Sequence, residues 1–187
     1  MQTLVKAYFD YYQSPAETMC RLVRERRFSA AVLGYFVAAL CWVCYFWIGS
    51  GLSTWGFIWR FLFFWLLEIT LGYLWAALSG LFLNFFSHEN GSSALFISLG
   101  LSGFVQGLLL CFALCAARFP SLTILSALAL SVTLVLRFTS AVINTARAGQ
   151  VGLSKALGAL CFVLVPAAAA MCLCIGAIIL LISLAAN

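Results

Sequence analysis

Residues 29–48 read SAAVLGYFVAALCWVCYFWI, a run of twenty residues without a charge. An α-helix rises about 1.5 Å per residue, so this run spans about 30 Å, the thickness of the apolar core of a bilayer. Because the bilayer core holds no water, the backbone polar groups of a spanning segment must be bonded within a helix or a closed barrel. The run is too long and too uniformly apolar for a barrel strand. It therefore predicts a transmembrane helix.

Four further apolar stretches follow this run, separated by short turns rich in Gly, Ser and Pro. They predict spans at about residues 61–86, 92–117, 122–145 and 154–185. Ser92 or Ser93 is expected to cap the third span, and Pro166 is expected to kink the fifth.

Composition supports the same fold class. The chain of 187 residues is 8% charged and 65% hydrophobic, with a mean hydropathy of +1.12, whereas a typical soluble domain is about 25% charged. A water-soluble globule is therefore excluded. The predicted fold is an all-α bundle of five transmembrane helices in residues 29–187. It is preceded by a cytosolic or interfacial N-terminal segment, residues 1–28, which contains an amphipathic interfacial helix at residues 14–27.

The N-terminal segment carries the most specific local pattern. No apolar run precedes residue 29, so a cleavable leader is not expected. Ser14, Pro15 and Glu17 match a capping box with proline at the first helical position, which predicts a helix start. At about 100° per residue, an apolar face and a charged face separate along this helix. The apolar face holds Ala16, Met19, Cys20, Leu22 and Val23, and the charged face holds Glu17, Arg21, Arg24 and Glu25.

Four arginines of this segment, Arg21, Arg24, Arg26 and Arg27, are candidate contacts to lipid headgroups. A basic residue near an anionic membrane surface gains about 1 kcal/mol, and the apolar face could lie in the headgroup region of the inner leaflet. Anionic lipids of that leaflet are thus the expected partner. Alternatively, the arginines only set the orientation and the helix packs on the bundle; the two interpretations are compatible.

The distribution of basic residues predicts the orientation. With a cytosolic N-terminus, eight Lys and Arg residues lie inside, and only Arg60 and Arg118 lie outside. The positive-inside rule therefore places the N-terminus in the cytosol, and five spans place Asn187 on the other side. This asymmetry explains the net charge of +5, so nucleic acid is not an expected partner.

Glu68 and Arg137 are the two charges placed deepest in the predicted spans, and each would cost about 2.5 kcal/mol or more if it faced lipid. Glu68 lies eight residues from Arg60, and Arg137 lies eight residues from Thr145, about 12 Å of helix in each case. In a core of about 30 Å, about 6 Å of axial distance remains between them. The sequence predicts an intramembrane charge pair. Alternatively, helix tilt lets each side chain reach a separate interface.

Cysteine and histidine form no recognisable reactive site in the sequence. Cys41 and Cys44 make a C-x-x-C within an apolar helix, where thiols behave as small hydrophobic groups. A quinone-linked thiol oxidoreductase would need a second cysteine pair in an outer loop. His88 has no second His or Cys nearby to complete a metal set. We expect no catalytic residue, no metal, no cofactor and no enzymatic activity.

Small residues recur at helical spacing, as in Gly103 with Gly107 and Gly72 with Ala76. Such pairs let helix backbones approach closely. They are explained by packing within the chain, and a homo-oligomer or hetero-oligomer through these faces is the alternative.

The layout resembles the bacterial members of the Yip1 domain family. The resemblance is carried by SPAETM at residues 14–19, by the basic stretch before the first span, by the turn at Gly91 and Ser92, and by GLSKAL at residues 152–157. The sequence departs from the family at Ser87, His88 and Glu89, where paired glycines are common. The acidic cytosolic motif of eukaryotic members is also absent, so their association with small GTPases is not carried over.

The resemblance implies an integral protein of the bacterial inner membrane, and eukaryotic relatives act in membrane trafficking and shaping. The function predicted from the sequence is a non-enzymatic protein that organises or shapes the bilayer, or scaffolds partners. The alternative is a small transporter or channel subunit. Its path would need polar or kinked positions, for which the candidates are Glu68, Gln106, Arg137, Asn144 and Pro166.

Overall fold

The computed structural model describes residues 2–47, 53–85, 91–119 and 123–166, and these segments are helical with no β-strand among them. The elements are α1 (Gln2–Gln13), α2 (Pro15–Arg24), α3 (Phe28–Trp47), α4 (Thr54–Asn84), α5 (Ser92–Ser102), a 3₁₀ turn (Gly103–Gln106), α6 (Gly107–Arg118), α7 (Thr123–Ala148) and α8 (Leu153–Pro166).

Four helical stretches are long and apolar enough to cross a membrane. They are Phe28–Trp47, Thr54–Asn84, Ser92–Leu110 and Ile124–Ala148. The fifth predicted span begins as the apolar helix α8, and its continuation after Pro166, with Asn187, lies outside the described residues. An all-helical fold with several membrane-length apolar helices is therefore confirmed.

Helix α4 begins earlier than predicted. It starts at Thr54 rather than near residue 61, because the Ser53 hydroxyl caps it by accepting a hydrogen bond from the Gly56 N–H at 3.2 Å. Its 31 residues give about 46 Å of helix, more than the apolar core of a bilayer. Trp55, near this end, is 72% exposed, and the Arg60 guanidinium lies 4.8 Å above the Trp47 ring.

The third predicted span contains a 3₁₀ turn, which the sequence analysis did not predict. A 3₁₀ turn separates α5 from α6, and Gly91 rather than Ser92 or Ser93 takes the N-cap position of α5. The backbones of α3 and α5 touch there. A Cβ on Gly34 would lie 2.0 Å from the Gly100 oxygen, and one on Gly103 would lie 2.5 Å from the Gly34 oxygen. These small residues therefore allow close helix packing within the chain.

The centre of the bundle is formed by α3 and α5. Helix α4 packs on both, and α7 packs on α5 and α6, so that α4 and α7 flank the centre with few direct contacts between them. The largest buried side chains include Tyr35, Phe104 and Met19. A Cβ on Gly72 would lie 2.2 Å from the Tyr35 hydroxyl oxygen, so this glycine makes the room that the tyrosine occupies.

The N-terminal segment contains a second helix, α1, before the predicted one, α2. Helix α1 packs on the bundle through Tyr8 and Tyr11, whose rings meet Phe104 edge to face at 5.1 and 5.5 Å. Helix α2 begins at the predicted Pro15, but the predicted capping box is wrong. The Ser14 N–H already donates to the Asp10 carbonyl at the end of α1, and the Ser14 side chain makes no cap.

The apolar face of α2 faces the protein. Met19 is 1% and Leu22 is 5% exposed, and both belong to the core cluster. Thr18 is buried with them, whereas Cys20, predicted on the same face, is exposed. The structure thus shows α2 packed on the bundle, which was the alternative to an apolar face in the headgroup region.

Candidate functional site

Four helical elements contribute one side chain each to a polar cluster inside the bundle. Glu68 of α4 and Arg137 of α7 form a bidentate ion pair, with Nη2 to Oε2 at 2.7 Å and Nη1 to Oε1 at 3.1 Å. Nη1 of Arg137 also donates to Oε1 of Gln106 at 2.7 Å, and Nε1 of Trp42 donates to Oε1 of Glu68 at 2.9 Å. The cluster bridges α4 and α7, which otherwise hardly touch.

The two charges that the sequence analysis paired therefore lie in contact. Glu68 lies fourteen residues after the start of α4, about 21 Å along a helix of about 46 Å, and is thus near its middle. The Glu68 and Arg137 side chains are 15% and 20% exposed. A bidentate guanidinium–carboxylate pair satisfies both charges in one geometry, which reduces the cost of placing them in an apolar medium.

Gln106 and Trp42 complete this cluster, and the sequence analysis gave neither a place beside the pair. Gln106 was considered only as a path-lining residue. It lies in the 3₁₀ turn, and its side-chain amide oxygen accepts from Arg137. The sequence did offer a signal for Gln106, namely an amide side chain inside an apolar run. A buried amide requires a hydrogen-bond partner.

Two N–H donors near the cluster remain without an acceptor among the described residues. They are the Gln106 side-chain amide and the Trp75 indole, both buried. Trp65 has a third such indole N–H, in a different surrounding where its ring stacks with Phe61 at 6.1 Å. An unmatched buried donor costs about 1–3 kcal/mol, so these donors require an explanation.

A cavity of about 300 Å³ adjoins the ion pair. Glu68 and Arg137 are in its wall, together with apolar residues of α4, α5 and α7 and the ring of Trp75. Leu71, Leu134 and Phe138 also line it and are 47%, 40% and 42% exposed. The cavity wall is therefore mostly apolar, with the ion pair as its charged part.

A second polar cluster ties α1 to the bundle. The Tyr11 hydroxyl lies 2.6 Å from the Ser140 hydroxyl and accepts from the Asn144 amide at 3.1 Å, and the same amide nitrogen lies 3.2 Å from the Ser98 carbonyl oxygen. Burial, followed by the hydrogen bond to Tyr8, raises the pKa of Tyr12 above its usual range. The Tyr12 hydroxyl donates to the Phe104 carbonyl.

The four candidate lipid-contact arginines lie at the exposed rim around α2. Arg21 pairs with Asp10 at 2.7 Å and Arg27 with Glu25 at 2.9 Å. Arg24 and Arg26 are exposed as well. Arg26 has a φ of 50° because α2 ends there in a Schellman turn, in which the Arg27 N–H bonds to the Leu22 carbonyl.

Cys41 and Cys44, the C-x-x-C pair considered for redox chemistry, are buried thiols of α3. His88 lies outside the described residues, and within those that are described no three His, Cys, Asp or Glu side chains gather into a metal site.

Comparison with known proteins gives no relative. No protein-family model, no curated protein and no solved structure matches the chain.

Proposed function

We propose that this chain is a non-enzymatic integral membrane protein that shapes or organises the bilayer from its cytosolic face, in the manner implied by the Yip1 resemblance. The observation that supports it is an outward apolar stripe on α1, where Val5 is 53% and Phe9 is 59% exposed. Val5 and Phe9 lie one helical turn apart on α1, whose Asp10 pairs with Arg21 of α2. In this proposal the two helices together supply the amphipathic surface that the sequence analysis assigned to one helix.

This arrangement has the features of an inner-leaflet wedge. The apolar stripe of α1 enters the acyl boundary, and Arg21, Arg24, Arg26 and Arg27 meet anionic headgroups. Tyr11 and Met19 fix the pair to the bundle, so that the wedge is held next to the spans. Material added to one leaflet only expands that leaflet and bends the membrane.

Reconstitution into large vesicles of phosphatidylcholine and phosphatidylglycerol tests this proposal. We expect electron microscopy to show narrowed or tubular membranes with the native chain. The double variant Val5→Asn/Phe9→Asn and the fourfold replacement of the rim arginines by Gln should each leave the vesicles round. Arg60→Gln is the matched control, since it removes one positive charge from the other end of the bundle and should preserve the deformation. Round vesicles with the native chain would overturn the proposal.

A small transporter or channel subunit is the second candidate function, and the cavity beside the Glu68–Arg137 pair favours it. A path would then carry ions across the same vesicles. Dyes sensitive to potassium and to pH, enclosed in the vesicles, measure this directly. Flux without deformation would replace the shaping proposal by the transport one.

Orientation is part of the proposal, with the rim arginines in the cytosol and Asn187 on the opposite side. A reporter that is active only in the cytosol, fused after Asn187, should remain silent. Spin labels at Val5 and Phe9 should report lipid, and a label at Arg24 should report water. A label at Phe9 that is fully exposed to water would contradict the wedge.

A further inference from the structure

A charged cleft of about 340 Å³ lies between α1, α2 and the first turn of α3. Its charged side chains are Lys6, Asp10, Arg21, Glu25 and Arg27. Three of them are cations and two are carboxylates, so the cleft carries a net charge of +1. The Arg21 and Arg27 side chains are about half exposed, which leaves the wall of the cleft accessible to a ligand.

The surplus positive charge of this cleft is that of Lys6. Asp10 follows Lys6 by one turn of α1, a spacing at which the two could pair, but it pairs with Arg21 at 2.7 Å instead. Glu25 pairs with Arg27 at 2.9 Å. Both carboxylates are therefore engaged, and Lys6 makes no ion pair with any residue that the structure describes. A ligand that balances the cleft carries one negative charge.

The outer surface of α1 indicates what kind of anion this is. Val5 and Phe9 lie one turn apart and are exposed. Lys6 and Asp10 each follow them by one residue, about 100° further round the helix. An apolar stripe and one wall of the cleft thus run side by side along α1. A molecule that joins an anion to a hydrocarbon chain contacts both surfaces, whereas a free anion contacts the cleft only.

We propose that this cleft holds the phosphodiester of one monoanionic phospholipid, whose acyl chains lie along Val5 and Phe9. The inference deepens the proposed function and rests on it, because α1 and α2 must lie at the membrane surface. Lys6 supplies the charge that balances the phosphodiester, and lysine is a common phosphate ligand. The volume is at the lower end of the range of small-molecule sites, which suits one headgroup.

Competition between phosphatidylglycerol and phosphatidylcholine for the purified full-length protein tests this site. Native mass spectrometry identifies the lipids that each chain retains from detergent micelles containing equal amounts of both. We expect the first retained lipid to be phosphatidylglycerol, because phosphatidylcholine adds a cation to a cleft that is already positive. In Lys6→Gln the cleft is neutral, so the preference should fall about fivefold. Lys6→Arg keeps the charge and should keep the preference, and Asp10→Asn removes a negative charge and should increase it.

Arg147→Gln is the matched control. Arg147 is exposed in the last turn of α7, on the same side of the membrane in the proposed orientation, and it does not line the cleft. Its replacement should leave the preference unchanged. Equal losses in Lys6→Gln and Arg147→Gln would show that the charge of the whole face attracts the lipid, and would overturn the proposal. A native chain without any preference would overturn it as well.

Glycerophosphoglycerol, which is the phosphatidylglycerol head without acyl chains, separates a lipid from a soluble phosphodiester. At the same concentration it should not displace the lipid, and displacement would overturn the assignment to a lipid. Vesicle deformation is a separate measurement. Deformation by a chain that shows no lipid preference would contradict this site alone, whereas round vesicles together with a preference that depends on Lys6 would contradict the wedge alone.

Discussion

Among the described residues, ion pairs occur both deep in the bundle and at its rim. The Glu68–Arg137 pair lies near the middle of α4, is bidentate and is 15% and 20% exposed, whereas Arg21 and Asp10 of the rim pair are 50% and 21% exposed. The closest N–O distance is 2.7 Å in both pairs. Because water screens only the rim pair, the same contact has different energetic consequences at the two places.

Replacing one residue of the Glu68–Arg137 pair should cause the largest loss of stability. Glu68→Gln or Arg137→Gln leaves one buried charge without its partner, which costs about 3–5 kcal/mol. The double replacement leaves two neutral amides that can bond to each other, so its cost should be clearly below the sum of the single costs. Unfolding of the purified protein by SDS titration in mixed micelles measures all three free energies. If the cost of the double variant equals the sum of the two single costs, Glu68 and Arg137 are not energetically coupled.

Disturbing the close packing of α3 and α5 should cause the next largest loss of stability. Gly34→Ala places a Cβ 2.0 Å from the Gly100 oxygen, so α3 and α5 must separate. Such overpacking costs about 1–3 kcal/mol. Gly152→Ala is the control, because the nearest atom to its Cβ would be the Ser154 hydroxyl oxygen at 4.0 Å. The same SDS titration applies, and equal stabilities of the two variants would contradict the close approach of α3 and α5.

The contacts of Tyr11 join the rim to the deep region and should give an intermediate effect. Tyr11→Phe removes the hydroxyl shared with Ser140 and Asn144, at a cost of about 1 kcal/mol. Hydrogen exchange should then increase in α1 and α2 more than in α3. Phe9→Leu, at an outward position, is the control and should leave exchange in α1 unchanged. Equal exchange in Tyr11→Phe and the native chain would show that this cluster does not hold the rim.

The sequence predicted the deep region better than the rim. Continuous apolar runs set the bounds of α3 and α7 to within a few residues, and the cost of lipid exposure was enough to pair Glu68 with Arg137. The 3₁₀ turn was not predictable from a continuous apolar run. Gly103 of this turn lies against Gly34, a contact that only the folded bundle brings together, and Gln106 of the same turn bonds to Arg137.

At the rim, local patterns were misleading. Helix α1 has no apolar run, and its position depends on Tyr8 and Tyr11 meeting Phe104, a contact across about a hundred residues. The capping pattern at Ser14 failed because α1 ends directly before α2 and takes the N–H that the box requires. Short polar segments next to a bundle are therefore determined by tertiary contacts rather than by their own signals.

The smallest effect is expected at the rim pair. Asp10→Asn removes the partner of Arg21, whose side chain is 50% exposed, so the free energy of unfolding should fall by less than about 1 kcal/mol. The difference should shrink further between low salt and 0.5 M salt, since ions screen exposed charges beyond a few ångströms. Salt should leave the cost of Glu68→Gln nearly unchanged, because that pair is shielded from the ions. If Asp10→Asn also freed Arg21 for lipid, retention of phosphatidylglycerol by the purified protein would rise while stability fell slightly. If Asp10→Asn instead lost several kcal/mol of unfolding free energy, the rim pair would contribute as much to stability as the Glu68–Arg137 pair. The distinction between the two regions would then not hold.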